Sequence, residues 1–227
     1  LAGGATSATS HSQDTTTYYV GYIAKFNHVK DISTVSNKIS LLKADSLLVI
    51  QNKIRVLVVE GELKGSISIL YAIMENIPIV GIDWVAECIK TKSIVDAIPF
   101  SIKINLNKSL FEKTKVYIYK ERSSGNQTQK KSTQTSFSST SASLSEAETD
   151  LLNSAITRFG GKRITYLNDA DKVIILDQDI DRLTLLKNKK EIMGIFADKV
   201  NKRWLVDCIL EGEIKNCSNP LYCVHCK

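Results

Sequence analysis

The sequence lacks the patterns that mark most membrane proteins and many enzymes. No apolar run in the 227 residues reaches the roughly 18 needed to span a bilayer. A phosphate-binding G-x-x-x-x-G-K-S/T loop, a G-x-G-x-x-G turn after a strand and a G-x-S-x-G elbow are all missing. The three histidines, His11, His28 and His225, are scattered. We therefore expect no catalytic site, no cofactor, no metal and no membrane contact.

Composition sets mild bounds on partners and compartment. The 30 basic and 24 acidic residues give a net charge of +6, which suits an anionic partner without requiring one. Five cysteines is an odd number, and Cys88 and Cys208 fall on apolar helix faces, which favours a reducing intracellular compartment. We expect the tail cysteines, Cys217, Cys223 and Cys226, to be reduced surface thiols rather than zinc ligands.

Two stretches of the chain resemble each other. Residues 77–90 read IPIVGIDWVAECIK, and residues 193–211 read MGIFADKVNKRWLVDCILE. Each predicts a short apolar strand, a polar turn and a helix that opens with tryptophan and carries cysteine four residues later. That spacing puts the two side chains on one helix face. The recurrence predicts an internal repeat, and the chain length suits two domains of about 100 residues.

Hydrophobic periodicity gives the same element order on both sides of the middle, strand-helix-strand-strand-helix-strand-helix. In the first half we expect strands at 15–23, 46–50, 54–59 and 77–82, and helices at 28–42, at 66–76 and from Trp84 onward. In the second half we expect strands at 113–120, 162–167, 172–176 and 193–196, and helices at 145–159, 181–191 and 202–210.

Domain boundaries follow from this order. A lead-in at 1–14 without a basic flank or apolar core is expected to be disordered rather than a signal peptide. One repeat covers 15–100, a linker 101–109, the other repeat 110–222 and a tail 223–227. A segment at 121–143, rich in Ser, Thr, Gln and Lys, interrupts the second repeat after its first strand and predicts a disordered insert.

The duplicated Trp-x-x-x-Cys helix and the element order resemble tandem BRCT repeats, most of all those of fungal multi-BRCT scaffolds. The residues that carry this resemblance are Trp84, Cys88, Gly160, Gly161, Trp204 and Cys208. The first copy departs from the family in having residues 41–44, Leu-Leu-Lys-Ala, where a Gly-Gly turn is usual, and the second in its insert. The resemblance implies an α/β fold, with a four-stranded parallel sheet flanked by helices in each repeat. It also implies that helix 66–76 packs against the first and third helices of the second repeat.

The resemblance further implies a nuclear protein-interaction module that recognises phosphorylated serine or threonine in DNA-damage, checkpoint and replication-stress signalling. A phosphorylated histone H2A tail is one candidate ligand. A phosphate-independent partner in DNA repair is the alternative. A DNA-binding appendage of a repair enzyme ranks third, and direct DNA binding is not expected. A DNA-ligase type pair is disfavoured because the linker between the repeats is short.

In phosphopeptide-binding family members the phosphate meets a Ser or Thr followed by Gly at the end of strand one, a backbone N–H, and a lysine on the second helix. Here Gly21 stands at the hydroxyl position and Ser68 at the lysine position, so the pocket is irregular. The residues expected to hold phosphate instead are Gly21 and Tyr22 through the backbone, Lys25, Lys64, Ser66 and Ser68.

A side-chain groove at the repeat interface is expected beside that pocket. Leu70 and Met74 are the residues expected to wall it, although both also suit a plain interface core. Separately, Ser12, Thr128 and Thr133 each precede glutamine, which is the pattern that checkpoint kinases favour. Phosphorylation there would add roughly −1.5 to −2 charges per site. The alternative is a solvated low-complexity segment with no such role.

Overall fold

The computed structural model describes residues 17–44, 52–119, 138–176, 192 and 194–224, with the backbone alone described for 138–145. The expected strand at 46–50, the expected helix at 181–191, the lead-in 1–14 and most of the insert lie outside these residues. So do the candidate phosphorylation sites Ser12, Thr128 and Thr133. No helix within the described ranges is long and apolar enough to cross a bilayer.

The first repeat is built on a parallel sheet of four strands in the order β2-β1-β3-β4. Buried, β-branched runs form its central strands, as expected for a sheet that helices cover on both faces. The strands are β1 (Tyr18–Ile23), β2 (Ile39–Lys43), β3 (Val56–Val59) and β4 (Ile79–Val80). Its described helices are α1 (Phe26–Val29), which continues as a 3₁₀ turn (Lys30–Thr34), then α2 (Ile67–Met74) and α3 (Ile82–Thr91).

The second repeat copies this plan, with parallel strands in the order β6-β5-β7-β8. Its strands are β5 (Lys115–Tyr119), β6 (Lys162–Arg163), β7 (Lys172–Ile175) and β8 (Asp198–Asn201), and its described helices are α4 (Ser138–Arg158) and α5 (Lys202–Glu211). Two parallel four-stranded sheets flanked by helices confirm the predicted fold class. The crossover order explains how strands far apart in the chain meet in one sheet.

The helix predicted at 28–42 is wrong in its second half. The helical segment ends at Thr34, and residues 39–43 form β2, an edge strand paired with β1 from Tyr18↔Ile39 to Tyr22↔Lys43. Ile39, Leu41 and Leu42 are as compatible with a strand as with a helix, and pairing with β1 decides between them. Residues 41–43 are therefore strand and not part of the turn expected there, and Ala44 follows the strand. The turn lies earlier, at residues 35–38.

Three further element boundaries also differ from expectation. The fourth strand of the second repeat is Asp198–Asn201, and the described part of the range expected for it, residues 194–196, is not a strand. Val200 points into the core, whereas Phe196 is fully exposed. Helix α4 begins at Ser138, so the last six residues of the expected disordered insert are helical. Helix α3 begins at Ile82, with Gly81 as its N-cap, two residues before the expected start at Trp84. The Gly160 turn is confirmed, with φ of +86° at the end of α4.

The two repeats share one continuous hydrophobic core. Helix α2 of the first repeat packs against α4 and α5 of the second, which confirms the packing that the resemblance implied. Leu70 is fully buried between them, and Ile73, Leu152 and Leu205 belong to the same cluster. Trp84 lies on the opposite face of the first sheet, in a separate cluster, whereas Trp204 lies in the shared core against Phe111, with ring centroids 5.7 Å apart.

The Trp-x-x-x-Cys pattern does the same structural work in both repeats. Trp84 donates from Nε1 to the carbonyl of Val95 over 3.2 Å, and the N–H of Val95 points at Cys88 Sγ over 3.5 Å. Trp204 donates to the carbonyl of Lys215 over 3.0 Å, and Lys215 N–H points at Cys208 Sγ over 3.2 Å. Each pair therefore fixes both backbone groups of the residue 11 positions after its tryptophan, which holds the segment leaving the helix.

The cysteines divide into two groups. Cys88 and Cys208 are free and fully buried, as expected from their helix faces. Burial raises the pKa of the Cys208 thiol to about 12. Cys217 is also free. Cys223 is disulfide-bonded, so the expectation of reduced thiols throughout the tail is wrong for this residue.

Candidate functional site

The amino end of α2 is the centre of the predicted phosphate site. The helix begins there because Ser66, in extended conformation, accepts a hydrogen bond on Oγ from the N–H of Ile69 over 3.3 Å. The N–H groups of Ile67 and Ser68 have no acceptor among the described residues. Because helix N-termini carry partial positive charge, these donors favour an anion.

The carboxyl end of β1 lies beside this helix start. Ala44, just after β2, donates its N–H to the carbonyl of Tyr22 over 2.8 Å, and its own carbonyl accepts a hydrogen bond from the hydroxyl of Ser68. Ser68 is fully buried. Its hydroxyl therefore joins α2 to the sheet inside the core and does not face a ligand, unlike the placement that the sequence suggested.

Gly21 also serves packing. It lies inside β1, paired with Leu42 and Leu57, and a Cβ there would come 2.8 Å from Ile54 Cδ1. Only glycine allows that approach without a shift of Ile54. Tyr22 follows it with 8% of its surface exposed, in the outer core of the first repeat. Neither residue presents a side chain to the helix start.

Lys25 lies at the end of β1 as predicted, but its backbone N–H is already engaged. The carboxylate of Glu60 accepts from it over 3.0 Å and also contacts His28 Nδ1 over 2.9 Å. The hydrogen bond from Lys25 is the main reason that the pKa of Glu60 lies below its usual value. Glu60 directly follows β3, and its side chain caps the start of α1. The predicted site did not include Glu60, although an acidic residue at the carboxyl end of a buried parallel strand was a visible signal in the sequence.

Lys64 is exposed and makes no ion pair or hydrogen bond with the described part of the chain. The following residue, Gly65, packs against the second repeat so closely that a Cβ would lie 2.3 Å from Asp207 Oδ1 and 3.0 Å from Arg203 Cγ. Lys64 therefore extends from a segment that the second repeat holds in place, which leaves its ammonium group as an available cation near Ser66.

Asp207 of α5 organises that inter-repeat contact. It is only 6% exposed, accepts from Arg203 Nε over 3.1 Å, and accepts from the hydroxyl of Tyr222 over 3.0 Å. Burial, together with the bond to this carboxylate, raises the pKa of Tyr222 to about 12. A buried carboxylate with two partners facing the start of α2 also complements the helix dipole. Sequence reasoning did not single out Asp207, whose place on an apolar helix face was the available signal.

The two residues proposed as groove walls are interface residues. Leu70 is fully buried in the shared core, and Met74 packs at its edge. The carbonyl of Met74 accepts a hydrogen bond from Arg158 Nη1 over 2.7 Å. An apolar cavity of about 280 Å³ does open nearby, between the end of α2, β4 and the linker. Residues 72, 73, 76–79, 98, 101, 102, 104 and 106 line it, and neither Leu70 nor Met74 does.

Of the six predicted phosphate residues, the structure brings Lys64 and Ser66 together at an accessible helix start. It places Ser68, Gly21 and Tyr22 in the core, and it occupies the N–H of Lys25 with Glu60. A cation, a hydroxyl and the backbone N–H of Ile67 at the carboxyl edge of a parallel sheet form an arrangement suited to binding an anion. No group of three or more metal-ligating side chains occurs in the described ranges.

The chain is similar to known proteins in structure but not in sequence. No known family's sequence profile matches the chain, and no curated protein is significantly similar in sequence. Among solved structures, the BRCT5-BRCT6 domains of S. pombe Brc1 are 18% identical, with 87% of this chain and 94% of that chain covered at a TM-score of 0.37. Residues 820–1070 of Rtt107p are 12% identical, with 90% of both chains covered at a TM-score of 0.37.

A third solved structure is Rad4 BRCT1,2 in complex with a Crb2 phosphopeptide, 11% identical, with 90% of this chain and 97% of that chain covered at a TM-score of 0.30. The fold assignment rests on the chain's own strand order, on its duplicated Trp-Cys contacts and on the packing of α2 against α4 and α5. In these respects the chain resembles a tandem BRCT pair.

Proposed function

We propose that this chain is a protein-interaction module, not an enzyme, that docks a phosphorylated segment of a partner protein at the start of α2. The observation that carries the proposal is the helix start itself. There, Lys64, the Ser66 hydroxyl and the N–H group of Ile67 lie together, and no described residue accepts a hydrogen bond from the Lys64 side chain or from the Ile67 N–H. A phosphate dianion would satisfy all of these groups at once.

Rigidity supports the same proposal. Asp207 and Arg203 pack against Gly65, so the second repeat fixes the loop that carries Lys64. A preorganised site loses less conformational freedom on binding than a mobile loop does. The tandem arrangement would therefore contribute to affinity even if the peptide contacted only the first repeat.

The biological setting is a finer part of the proposal. We propose a nuclear scaffold in DNA-damage, checkpoint and replication-stress signalling, with a phosphorylated histone H2A tail as the first ligand to try. The sequence resemblance to BRCT repeats motivates this setting. Other DNA-repair proteins that carry phosphoserine or phosphothreonine are equally compatible with the chemistry of the helix start.

One observation favours a second candidate, a phosphate-independent interaction. Glu60 already accepts the Lys25 N–H at the end of β1, where the family's phosphate receives a backbone hydrogen bond. The Glu60 carboxylate at the end of β1 repels a phosphate dianion. Lys64 and the start of α2 would therefore have to bind the dianion without a hydrogen bond from β1. A partner with a carboxylate or neutral acceptor would suit such a site better.

The two candidates are separated by binding of paired peptides, phosphorylated and unmodified, measured by fluorescence anisotropy. The set includes an H2A-tail phosphoserine peptide with a free carboxyl terminus. We expect binding that depends on phosphate and weakens about tenfold or more in Lys64→Ala, since charged hydrogen bonds contribute about 1.5–3 kcal/mol. The matched control is Lys108→Ala, an exposed linker lysine with no described partner.

Equal binding of both peptide forms, with Lys64→Ala and Lys108→Ala indistinguishable, would reject the phosphate proposal in favour of the second candidate. A similar loss of affinity in both lysine variants would show that the loss comes from the change in net charge and not from a specific contact of Lys64. Binding at two salt concentrations checks this further, because a nonspecific attraction weakens for every variant alike as salt rises.

A further inference from the structure

The two sheets differ at one edge. In the first repeat, β2 pairs with β1 along five residues, from Tyr18↔Ile39 to Tyr22↔Lys43. In the second repeat, the equivalent strand β6 pairs with β5 at only two, Lys115↔Lys162 and Val116↔Arg163. Within the described ranges, no strand pairs with the outer edge of β5 beyond Val116. We call this gap the β5 notch, formed by Ile118, Glu146, Thr149, Asp150, Asn153 and Arg163.

Backbone geometry shows what the notch exposes. Asp171 donates to the carbonyl of Lys115, so odd-numbered residues of β5 face β7, and Ile164 donates to the carbonyl of Val116, so even-numbered residues face β6. The ladder to β6 ends at that bond within the described chain. The N–H and carbonyl of Ile118 therefore point into the notch, which is the geometry an added parallel or antiparallel strand requires.

Asn153 is an independent sign that the notch receives a ligand. It lies on α4, lines the notch and is only 8% exposed. Its backbone carbonyl accepts from Thr157, but its side-chain amide has no partner among the described residues. A buried amide without partners costs about 1–3 kcal/mol. A peptide backbone offers both the donor and the acceptor that this amide lacks.

Charge specifies the partner further. Glu146 and Asp150 lie one turn apart on α4, are both exposed, and have no described ion pair. Like charges at this spacing destabilise a helix slightly. Arg163 also lines the notch, so the three groups sum to a single negative charge. A basic side chain on an incoming strand would neutralise it.

We propose that the β5 notch binds an extended, lysine- or arginine-containing peptide of another protein, which pairs with the backbone of Ile118 and hydrogen-bonds to the amide of Asn153. The cavity of about 380 Å³ accommodates a few residues of such a strand. This site lies on the second repeat and is separate from the anion site on α2 of the first. The module would thus bind two kinds of peptide segment with opposite charge, an anionic one at α2 and a cationic one at the β5 notch.

The test uses the full chain, labelled with ¹⁵N, and two decapeptides that alternate valine with lysine or valine with glutamate. We expect the lysine peptide to shift the backbone signal of Ile118 and the side-chain amide signals of Asn153, and the glutamate peptide to shift neither. A lysine peptide with N-methylated backbone amides should bind at least tenfold more weakly. Absence of these shifts, or equal binding of the methylated peptide, would overturn the proposal.

Two variants separate the site from general electrostatics and from misfolding. Asp150→Lys should weaken lysine-peptide binding at least tenfold, whereas Asp31→Lys, an exposed carboxylate of the first repeat, makes the same charge change and should not. Asn153→Leu should lose binding while its midpoint of urea unfolding stays equal or rises, because the unpaired amide is removed. Equal effects of the two lysine substitutions, or unchanged binding in Asn153→Leu, would reject the site.

The insert that follows β5 is the competing occupant. If the lysine peptide binds only after residues 121–136 are replaced by a short Gly-Ser linker, the insert fills the notch from within the same chain, and the proposal of an external partner is wrong. If binding is the same with and without the insert, an external partner stands.

Discussion

Arg158 of the second repeat caps the central helix of the first. Its Nη1 donates to the carbonyl of Met74, the last residue of α2, over 2.7 Å, and its Nη2 contacts Asn76 Oδ1 over 3.2 Å. Asp207 lies against Gly65 at the other end of the same helix. A cation at the carboxyl end and a carboxylate at the amino end both complement the helix dipole. The second repeat thus stabilises α2 at both termini.

Loss of the Arg158 cap should loosen the repeat interface. We expect Arg158→Met, which keeps much of the side-chain volume, to lower the free energy of unfolding by about 1–2 kcal/mol, because hydrogen bonds from a charged donor are lost. Urea unfolding followed by circular dichroism measures this. Arg55→Met, at an exposed arginine of the first repeat, is the control and should change it by less than about 0.5 kcal/mol. Equal effects would mean that the cap contributes nothing specific.

The Gly65–Asp207 contact should behave as a coupled pair. Gly65→Ala places a methyl group 2.3 Å from Asp207 Oδ1, so one element must shift, and we expect about 1–3 kcal/mol of destabilisation. Asp207→Ala removes the obstacle at the expense of the bonds to Arg203 and Tyr222. The double variant should therefore be more stable than the sum of the single effects predicts, as a double-mutant cycle of unfolding free energies measures. Simple additivity would show that the two residues do not clash.

Stability should fall on the alkaline side of neutrality. Burial raises the pKa of Cys208 from an ordinary value of 9.0, and that of Tyr222 from 10.0, each to about 12. Folding favours the neutral thiol and phenol, so this stabilisation is complete below the unfolded pKa values and is lost as pH rises towards about 12. We expect the free energy of unfolding to decline from about pH 9 upward.

Two variants test whether Cys208 and Tyr222 cause the decline in the free energy of unfolding at alkaline pH. Tyr222→Phe should flatten the part of the curve above pH 10, and Cys208→Ala the part that begins near pH 9, when urea unfolding is measured from pH 8 to 11.5. An unchanged slope in both variants would show that other groups cause it.

Glu60 should weaken phosphopeptide binding if the anion site extends to the end of β1. In Glu60→Ala the N–H of Lys25 becomes available and a like charge is removed, so we expect about two- to fivefold tighter binding by anisotropy. Because the pKa of Glu60 lies below 4.5, this gain should persist at mildly acid pH and shrink only at lower values. Glu112→Ala is the charge-matched control. The same gain in affinity in both variants would show that it comes from the change in net charge and not from the position of Glu60.

The sequence predicted the fold well where the signal was local and repeated. Trp84 and Trp204 located the last helix of each repeat, and the apolar runs around Val58 and Ile174 predicted the central strands. It failed where pairing with a distant strand decides between helix and strand, as at Ile39, and where a mostly polar strand such as Asp198–Asn201 is chosen by its neighbour β7.

The candidate site was harder to predict, because its residues play roles that no spacing reveals. Ser68 looks like a surface hydroxyl on a helix, yet its bond to the carbonyl of Ala44 depends on a strand two elements earlier. Gly21 stands where the family has a hydroxyl residue, but the side chain of Ile54 occupies the space that a Cβ at this position would fill. Glu60, Asp207 and Arg158 act across elements or repeats, so only the assembled structure shows their contacts.

The linker and the tail occupy equivalent places. Val80 of β4 forms an antiparallel bridge with Ser101, and Val200 of β8 forms one with Cys223. The segment that follows the Trp-Cys helix therefore covers the edge strand β4 in the first repeat and the edge strand β8 in the second. An uncovered strand edge is a template for self-association. A version of this protein shortened before Cys223 would bare one such edge, and aggregation on expression would then reflect the lost cover and not a failure of the repeats to fold.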